Sequence, residues 1–422
     1  MAEFAVTLDD KYTLDEGRVF ITGVQALARL PMVQRQRDVI SGLNTAGFIS
    51  GYRGSPVGGY DQQLWNARKF LENNHIKFQP GLNEDLAASA IWGSQQTNLF
   101  EGGKYDGVFG IWYGKGPGVD RCGDVFKHGN MSGPSKHGGV LLIAGDDHAA
   151  KSSTVPHQSE FAFMDASIPV LNPAGVQEIL DYGVLGFAMS RFSGCWVAFK
   201  TTAENMDSSA SIDVAPDRVN IEIPDFDIPD GGLHIRWPDD WIEQEHRLHN
   251  YKLKAVRAFA RANKIDKLII DSPKAKLGIV TTGKSYLDVR QALEDLGITE
   301  EKAATIGIRL YKIGMPWPLE PAGVHEFAEG LEEILVVEEK RPLIENQLKE
   351  ELYNYPLNKR PRIVGKVDEK QQPLQSAAGV LTATQIATVI ASRIAQFHQG
   401  SEIQQQLRII EAREAQLIQS KT

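Results

Sequence analysis

The sequence predicts an α/β fold in which a doubly wound, mostly parallel sheet is followed by a second, smaller α/β domain and a helical tail. Short apolar runs alternate with helical stretches from residue 18 to about residue 200, which is typical of parallel strands covered on both faces. A segment rich in proline and aspartate, residues 213–237, interrupts this alternation, and the alternation resumes near residue 277. With 422 residues the chain is too long for one ordinary core, so two or three domains are expected.

The elements follow from these runs in order. In the first domain the apolar runs FISGYRG, GVFGIWYG, VLLIAGDD and CWVAFKTT are separated by the helical stretches EDLAASAIWGSQQTNLF and QEILDYGVLGFAMSRFS. A charged helix is expected at about 239–266. Three further strands, KLGIVTTG, IGIRLYKIG and EILVVEE, alternate with helices in the second domain. The predicted boundaries are 1–212, 213–270 (linker and helix), 271–365, and 366–422 for a helical tail without a core of its own.

Composition excludes several classes of protein. The net charge is −9 and no basic stripe appears, so a nucleic-acid partner is not expected. Two cysteines, Cys122 and Cys195, cannot form a four-thiolate metal or iron–sulfur site. The acidic start lacks the apolar core of a secretory signal, and no run of about eighteen apolar residues exists. We therefore expect a cytoplasmic protein without a membrane partner.

Two short stretches carry most of the chemical information. Residues 51–61 read GYRGSPVGGYD, a glycine-rich run that is either a plain turn or a cradle for a ligand. Residues 83–89 read NEDLAAS, with Glu84 at the start of a helix. A carboxylate in that position commonly serves only as a cap, because the helix dipole favours it.

Taken together, these stretches resemble the pyrimidine-binding domain of thiamine-diphosphate-dependent 2-oxoacid:ferredoxin oxidoreductases, most closely the indolepyruvate type. The resemblance covers about residues 17–365, and the second α/β unit is similar to the family's transketolase-C-like domain. The family's glycine loop is matched by Tyr52, Arg53, Gly54, Ser55 and Pro56, and its Asn-Glu pair by Asn83 and Glu84. Its segment of paired aspartates and paired serines is matched by Asp146, Asp147, Ser152 and Ser153. Arg53 stands where the family has proline, and Ser55 where it has threonine.

The resemblance implies a function for each segment. Glu84 is expected to be the catalytic carboxyl, since activation of thiamine requires one carboxyl held in a dry, fixed position beside the pyrimidine ring. The expected cofactor-binding residues are Gly54, Ser55, Pro56, Asn83 and Glu84. The expected substrate-binding residues are Arg53, Ser55, Ser152 and Ser153. The implied reaction is oxidative decarboxylation of an aryl or branched 2-oxoacid to an acyl-CoA, with electrons passed to ferredoxin.

The chain lacks a clear signature for the charged end of the cofactor. That end requires a G-D-G segment, then about twenty-five residues, then an Asn pair that together hold Mg²⁺ and the pyrophosphate. Gly145, Asp146 and Asn172 imitate this spacing only in part. We therefore expect the Mg²⁺ site, the pyrophosphate site and the iron–sulfur cluster on another domain or on a partner subunit. A homodimer or higher oligomer is also expected.

Two alternative functions remain open from the sequence. Residues Gly278–Ser285 satisfy the phosphate-loop pattern G-x-x-x-x-G-K-S, although the four middle residues, IVTT, are β-branched enough to be the strand itself. In that case Lys284 would be structural or solvent-facing, and its loss would change stability by only about 0.5 kcal/mol. The second alternative is a non-catalytic assembly subunit.

Other patterns favour no site. His128, His137, His148 and His157 recur at intervals too long for zinc ligands. The pair of serines near His157 lacks the elbow motif of a serine nucleophile. Residues 114–124, GKGPGVDRCGD, are interpreted as a loop that faces the cofactor.

Overall fold

The structure is a computed structural model that describes residues 6–420. These residues form two compact units, divided between Asn263 and Lys264. Each unit is described by itself.

The first unit is built on a six-stranded sheet in which all neighbouring strands are parallel. The strand order is β3-β2-β4-β5-β7-β6. Strands β1 and β8 form a separate antiparallel pair. The strands of this unit are β1 (Arg18–Thr22), β2 (Ala46–Gly51), β3 (Ile76–Phe78), β4 (Val108–Lys115), β5 (Val140–Gly145), β6 (Val170–Leu171), β7 (Val197–Thr201) and β8 (Ser209–Asp213). The predicted doubly wound parallel sheet is confirmed.

Twelve helices in residues 6–263 surround these strands. They are α1 (Asp10–Thr13), α2 (Gly23–Ile40), α3 (Tyr60–Asn66), α4 (Arg68–Asn73), α5 (Glu84–Gln95), α6 (Gly116–Arg121), α7 (Gly123–Ser132), α8 (Glu160–Asp165), α9 (Val176–Ser193), α10 (Ala203–Met206), α11 (Trp241–Arg247) and α12 (Leu253–Ala262), with a π-helical turn at Leu248–Lys252. The sequence encodes several of the helix ends. Thr22 and Gln25 form a capping box at the start of α2, and Gly194 ends α9 in the left-handed conformation.

The central strands are fully buried because both faces of the sheet are covered. Every residue of β5 and β7 is buried, so these strands are continuous apolar runs in the sequence rather than alternating ones. Helix α5 packs on β2 and β4, and α9 packs on β5 and β7. This packing fixes the strand ends, where the polar segments emerge.

The second unit contains a five-stranded sheet in the order β13-β12-β10-β11-β9. Its strands are β9 (Lys267–Ile270), β10 (Leu277–Thr282), β11 (Ile308–Ile313), β12 (Glu333–Val337) and β13 (Arg362–Val364). Its helices are α13 (Gly283–Asp295), α14 (Glu300–Ile306), α15 (Pro321–Ala328), α16 (Ile344–Leu352), α17 (Ala383–Ile394) and α18 (Ser401–Ser420). The sequence predicted the three central strands. The edge strands were missed because β13 is three residues long and β9 is short and partly exposed.

The structure differs from the expected boundaries on both sides of the second unit. Strand β9 lies inside the segment 213–270 that was expected to be linker and helix, and it pairs antiparallel with β11. The segment 366–422 was expected to be a tail without a core. Instead, Ile386, Ile390 and Ile394 of α17 are buried in the core of the second unit. Their spacing of four residues places them on one helix face. This face can be buried only when the sheet is present to pack against it.

Candidate functional site

The residues expected to form the site emerge at the carboxyl edge of the six-stranded sheet. The glycine-rich loop, residues 52–59, follows β2; α6 follows β4 directly; and the segment with the paired serines follows β5. Because parallel strands end at the same edge, this arrangement gathers segments that are distant in the sequence. Ligands of open α/β folds bind at this edge.

Glu84 is held at the first turn of α5. The Asn83 side chain caps the helix, since its Oδ1 accepts a hydrogen bond from the Leu86 amide at 2.8 Å. The backbone carbonyl of Glu84 accepts a hydrogen bond from Trp112 Nε1 at 3.0 Å. The Glu84 side chain is 12% exposed, and its nearest cation, the guanidinium of Arg121, lies 3.8 Å from Oε2. The carboxyl is therefore fixed through its backbone and lies in a largely dry position.

Helix α6 forms the wall against which Glu84 packs. A Cβ atom on Gly118 would lie 2.5 Å from Glu84 Cγ and 3.0 Å from Oε1, so only glycine permits this close approach. The other face of the same helix carries Gly116, where a Cβ would lie 2.4 Å from the His157 side chain. The sequence interpretation of residues 114–124 as a loop was wrong. With no long apolar run, this glycine-rich segment carries little helical signal.

The glycine-rich loop packs against the ends of two neighbouring strands. Gly54 approaches the side chain of Lys115, and Pro56 and Val57 lie against Gly145 at the end of β5. Pro56 is buried, whereas Arg53 and Ser55 are exposed. Beneath the loop, the Tyr113 hydroxyl donates a hydrogen bond to Asp61. Burial, the largest cause, and this hydrogen bond raise the pKa of Tyr113.

Lys115 connects the loop to the paired serines. Its Nζ donates a hydrogen bond to Ser152 Oγ at 2.8 Å, and the Ser152 amide donates to Asp147 Oδ2 at 2.8 Å. Burial would raise the pKa of Asp147, but the hydrogen bonds from Ser152 and Lys151 and the charge of Lys115 lower it. Sequence reasoning did not single out Lys115. The feature of the sequence that could have indicated Lys115 is its position as the last residue of a buried strand.

Two polar atoms at this edge have unused hydrogen-bonding capacity. Among residues 6–420, Ser153 Oγ and His157 Nδ1 are buried without a hydrogen-bond partner. The other ring nitrogen of His157, Nε2, lies 3.4 Å from Asp120 Oδ2. A buried polar group without a partner costs free energy, so a polar ligand at this edge would gain from contacting either atom.

The partial imitation of a pyrophosphate signature is explained by packing. Asp146 is buried, and it accepts hydrogen bonds from the amide and hydroxyl of Ser159 at 2.9 and 2.5 Å. Lys200 Nζ lies 3.5 Å from the same carboxylate. Asp146 is therefore committed to internal contacts. In the described part of the chain, no group of three or more His, Cys, Asp and Glu side chains could hold a metal ion.

The phosphate-loop pattern of the second unit does not form a cradle. Residues 278–282 are part of β10, and a Cβ on Gly278 would lie 2.5 Å from the Leu331 side chain. Lys284 Nζ is engaged by Asp288 Oδ2 at 2.7 Å, by Glu339 Oε1 at 3.2 Å and by the carbonyl of Leu381 at 2.7 Å. Of the two alternatives expected from the strand interpretation, structural or solvent-facing, the structure shows the first: the lysine is structural, and its side chain is 13% exposed.

Solved structures of other proteins share this fold. A 2-oxoglutarate:ferredoxin oxidoreductase from Magnetococcus marinus superposes with a TM-score of 0.62 at 14% identity, over 90% of this chain and 65% of that chain. A split-gene transketolase, described as an inactive beta4 tetramer, gives a TM-score of 0.50 at 12% identity, over 90% of this chain and 99% of that one. At these identities the likeness concerns the fold alone.

Sequence comparison then gives the particular relatives. Residues 267–417 match the family model described as the indolepyruvate oxidoreductase domain. The indolepyruvate oxidoreductase subunit IorA of Pyrococcus horikoshii is 29% identical over 222 residues, which are 50% of this chain and 32% of that protein. The corresponding subunit of Methanothermobacter thermautotrophicus is 24% identical over 349 residues, 81% of this chain and 50% of that protein. The chain is thus related to the IorA subunits of indolepyruvate oxidoreductase, and the predicted family resemblance is confirmed.

Much of the length of these relatives has no matching segment in this chain. This chain spans between about a third and a half of those curated relatives. Within residues 6–420, no helix combines the length and the apolar character needed to cross a membrane.

Proposed function

We propose that this chain supplies the pyrimidine-binding part of a thiamine-diphosphate-dependent 2-oxoacid:ferredoxin oxidoreductase of the indolepyruvate type. The observation that carries the proposal is the setting of Glu84. It is a largely buried carboxyl, placed by Asn83 and Trp112 at the carboxyl edge of the sheet and packed on Gly118. The IorA relatives supply the substrate class, an aryl 2-oxoacid.

The residues present fit one half of the cofactor. Glu84 provides the carboxyl that an aminopyrimidine ring requires, and Ser153 Oγ and His157 Nδ1 are buried polar atoms without hydrogen-bond partners at the same edge of the sheet. The diphosphate half has no counterpart within residues 6–420, since Asp146 is committed to internal contacts and no metal-binding cluster is present there. We therefore propose that Mg²⁺ and the diphosphate are held by a further domain or subunit.

When bound, thiamine diphosphate supplies an acidic carbon that adds to the keto group of a 2-oxoacid and accepts the electron pair left by carbon dioxide. The role of this chain is to prepare that chemistry. Glu84 would hydrogen-bond the pyrimidine nitrogen through its carboxyl group, and a hydrogen bond in a dry position is stronger than one in water. Gly54 and Pro56 keep the loop backbone close to the strand ends.

Substrate binding is assigned to the polar side chains around Lys115. Arg53 and Ser55 are exposed on the loop, and Ser152 is oriented by its bonds to Lys115 and Asp147. A guanidinium and hydroxyl groups are suitable donors for the carboxylate of a 2-oxoacid. The proposal also includes coenzyme A as the acyl acceptor, ferredoxin as the electron acceptor and an iron–sulfur cluster on the partner. The assembled enzyme is proposed to be a homodimer or higher oligomer.

The proposal is tested in the enzyme assembled with its diphosphate-binding partner. Glu84→Ala is expected to lower 2-oxoacid-dependent dye reduction at least about a hundredfold and to slow exchange of the acidic hydrogen of thiamine diphosphate for deuterium. The circular dichroism spectrum is expected to stay unchanged. The control is Glu101→Gln, an acidic residue exposed on the surface, for which both rates are expected to equal those of the wild type.

Two outcomes would reject the proposal. Wild-type deuterium exchange in Glu84→Ala would remove Glu84 from cofactor activation. Absence of 2-oxoacid turnover in the assembled wild-type complex would favour a non-catalytic assembly subunit.

A further inference from the structure

A large cleft lies at the edge of the six-stranded sheet opposite the candidate cofactor site. Its volume is about 680 Å³, within the range of about 300–1,000 Å³ that is typical of small-molecule sites. Leu43 precedes β2, Lys136 and His137 precede β5, and Arg191 ends α9 before β7. The cleft therefore lies at the amino ends of the strands, roughly 20 Å of strand length away from the segment that carries Ser55 and Ser152.

The lining of this cleft carries a net positive charge. Arg37, Lys136 and Arg191 contribute three cations, and Asp38 contributes the one carboxylate among the described lining residues, which leaves a charge of plus two with the histidines neutral. The positive charges of the lining also affect the pKa of His137. Burial and the charges of Arg191 and Lys136 lower the pKa of its ring.

Asp38, the single carboxylate of the described lining, already accepts several hydrogen bonds from neighbouring side chains. Asp38 is 3% exposed and accepts two hydrogen bonds from the Arg191 guanidinium, at 2.6 and 2.9 Å. It also accepts one from Gln34 Nε2 at 2.9 Å and one from Thr45 Oγ1 at 2.6 Å. The charge of Asp38 is therefore offset by that of Arg191, and Arg191 is held as a fixed part of the wall.

Two donors of the lining remain available. Within residues 6–420, neither the Lys136 ammonium nor the His137 ring makes a hydrogen bond or an ion pair. Lys136 is exposed, and His137 is half-buried. They are adjacent on a segment that is tied down by the hydrogen bond from Arg191 Nε to the carbonyl of Gly138, at 2.8 Å.

The cleft also contains the polar residues Gln34, Ser41, Asn220 and His234 and an apolar part. The apolar part is lined by Leu43, Ala188, Phe192, Ile221 and Ile223, and the Ile223 side chain is 61% exposed. A preformed apolar wall beside a few convergent polar groups is the usual composition of a small-molecule site.

We propose that this cleft binds a small anion that carries an apolar group, a carboxylate or phosphate monoester with an aromatic or aliphatic portion. Lys136 and His137 contact the anionic group, and Ile223 packs on the apolar portion. The site is separate from the candidate cofactor site and does not depend on the proposed function.

The probe for this site is phenyl phosphate, titrated calorimetrically into the full 422-residue chain. Phenyl phosphate is expected to bind more tightly than inorganic phosphate, which lacks the apolar portion. Lys136→Ala is expected to weaken phenyl phosphate binding roughly tenfold, the effect of losing one charge-assisted hydrogen bond. Ile223→Ser is expected to weaken phenyl phosphate and leave inorganic phosphate unchanged. Titration of 4-phenylbutyrate then distinguishes a phosphate site from a carboxylate site.

Controls separate this cleft from other cationic surfaces. Lys104→Ala removes the same charge from an exposed position outside the cleft, and Glu84→Ala alters the other edge of the sheet. Both variants are expected to bind phenyl phosphate as the wild type does. The proposal is overturned if neither phenyl phosphate nor 4-phenylbutyrate binds, or if Lys136→Ala and Lys104→Ala have equal affinities for the probe that binds.

Discussion

Gly118 determines how closely the wall of the candidate site approaches Glu84. Any larger residue would place its Cβ 2.5 Å from Glu84 Cγ, so the carboxyl would have to move away from its dry position. The clash would involve Glu84 Cγ, which is close to the backbone. Rotation of the carboxyl group alone therefore cannot relieve this clash. The role of Glu84 can thus be probed without removing its charge.

We expect Gly118→Ala to lower the activity of the assembled enzyme roughly a hundredfold, the cost of misplacing a catalytic group by about 1 Å. The measurement is 2-oxoacid-dependent dye reduction. The matched control is Gly123→Ala, since a Cβ at Gly123 meets nothing within 4 Å. Equal activity of the two variants would show that the position of Glu84 does not limit the reaction.

At the scale of the elements, Lys284 ties α13 to two other segments of the second unit. Its side chain is 13% exposed, and its partner Glu339 is 8% exposed. Burial lowers the pKa of Lys284, but the hydrogen bond to Asp288 and the charge of Glu339 outweigh that effect and raise it. The lysine is therefore charged in the folded state, and its removal leaves buried carboxylates without a counter-charge.

Lys284→Ala is expected to destabilise the second unit by about 3 kcal/mol, well above the value that the sequence alone suggested. Urea denaturation followed by circular dichroism measures this difference. Lys274→Ala, at an exposed position, is the control and is expected to stay within about 0.5 kcal/mol of the wild type. A clear loss of ATP binding in Lys284→Ala would instead support a nucleotide site.

Helix α17 is attached to the sheet of the second unit by a buried ion pair. Arg393 is 4% exposed, and its Nε donates a hydrogen bond to Glu333 Oε1 at 2.6 Å. Its Nη2 also donates to Glu333 and, at 2.9 Å, to Glu369. The contact joins the start of β12 to the C-terminal segment.

We expect Arg393→Ala to loosen α17, because breaking a buried pair costs about 3 kcal/mol. Hydrogen exchange of the α17 amides is expected to accelerate more than that of the β10 amides. Arg408→Ala, on the exposed side of α18, is expected to leave both rates unchanged. Unchanged exchange in Arg393→Ala would mean that the apolar face alone holds the helix.

At the scale of the whole molecule, the stability of the second unit depends on pH through buried acids. Asp266 accepts hydrogen bonds from the amides of Gly314 and Met315 at 2.8 and 3.0 Å, yet burial, the largest cause, raises its pKa to about 7. Burial likewise raises the pKa of Glu338 to about 7. Both groups keep a proton in the folded state at pH values where the unfolded chain has released it.

The free energy of unfolding is therefore expected to fall as pH rises from about 4 to about 7, by at most about 1.4 kcal/mol per pH unit for each group. Asp266→Asn is expected to remove its share of this slope, since an amide does not titrate. The control, Glu294→Gln, replaces an exposed acid by its amide and is expected to keep the wild-type slope. Identical slopes in all three proteins would contradict the assignment.

The chain by itself is expected to bind thiamine diphosphate no more tightly than about 1 mM, which corresponds to about 4 kcal/mol. In the proposed function its residues contact only the pyrimidine half, while the charged half normally provides most of the anchoring through Mg²⁺. Calorimetric titration of the chain with thiamine diphosphate and Mg²⁺ measures this affinity. Micromolar binding would mean that a diphosphate site exists in this chain.

The sequence by itself determined the parallel sheet of the first unit, the three central strands of the second, and the resemblance that directs attention to Glu84. These features depend on local patterns. Buried parallel strands are continuous apolar runs, and the β-branched residues IVTT form a strand even inside a phosphate-loop pattern. Local patterns are sufficient to predict a residue's conformation where its neighbours in the sequence determine that conformation.

Tertiary structure alone decided the rest, because it depends on contacts between segments that are distant in sequence. Helix α6 is a glycine-rich segment with no long apolar run, and only its packing between Glu84 and His157 gives it a role. Lys284 is buried because Glu339, 55 residues away, lies opposite it. The C-terminal segment joins the second unit because Arg393 pairs with Glu333, 60 residues away, and such pairings form only when the sheet brings the partners together.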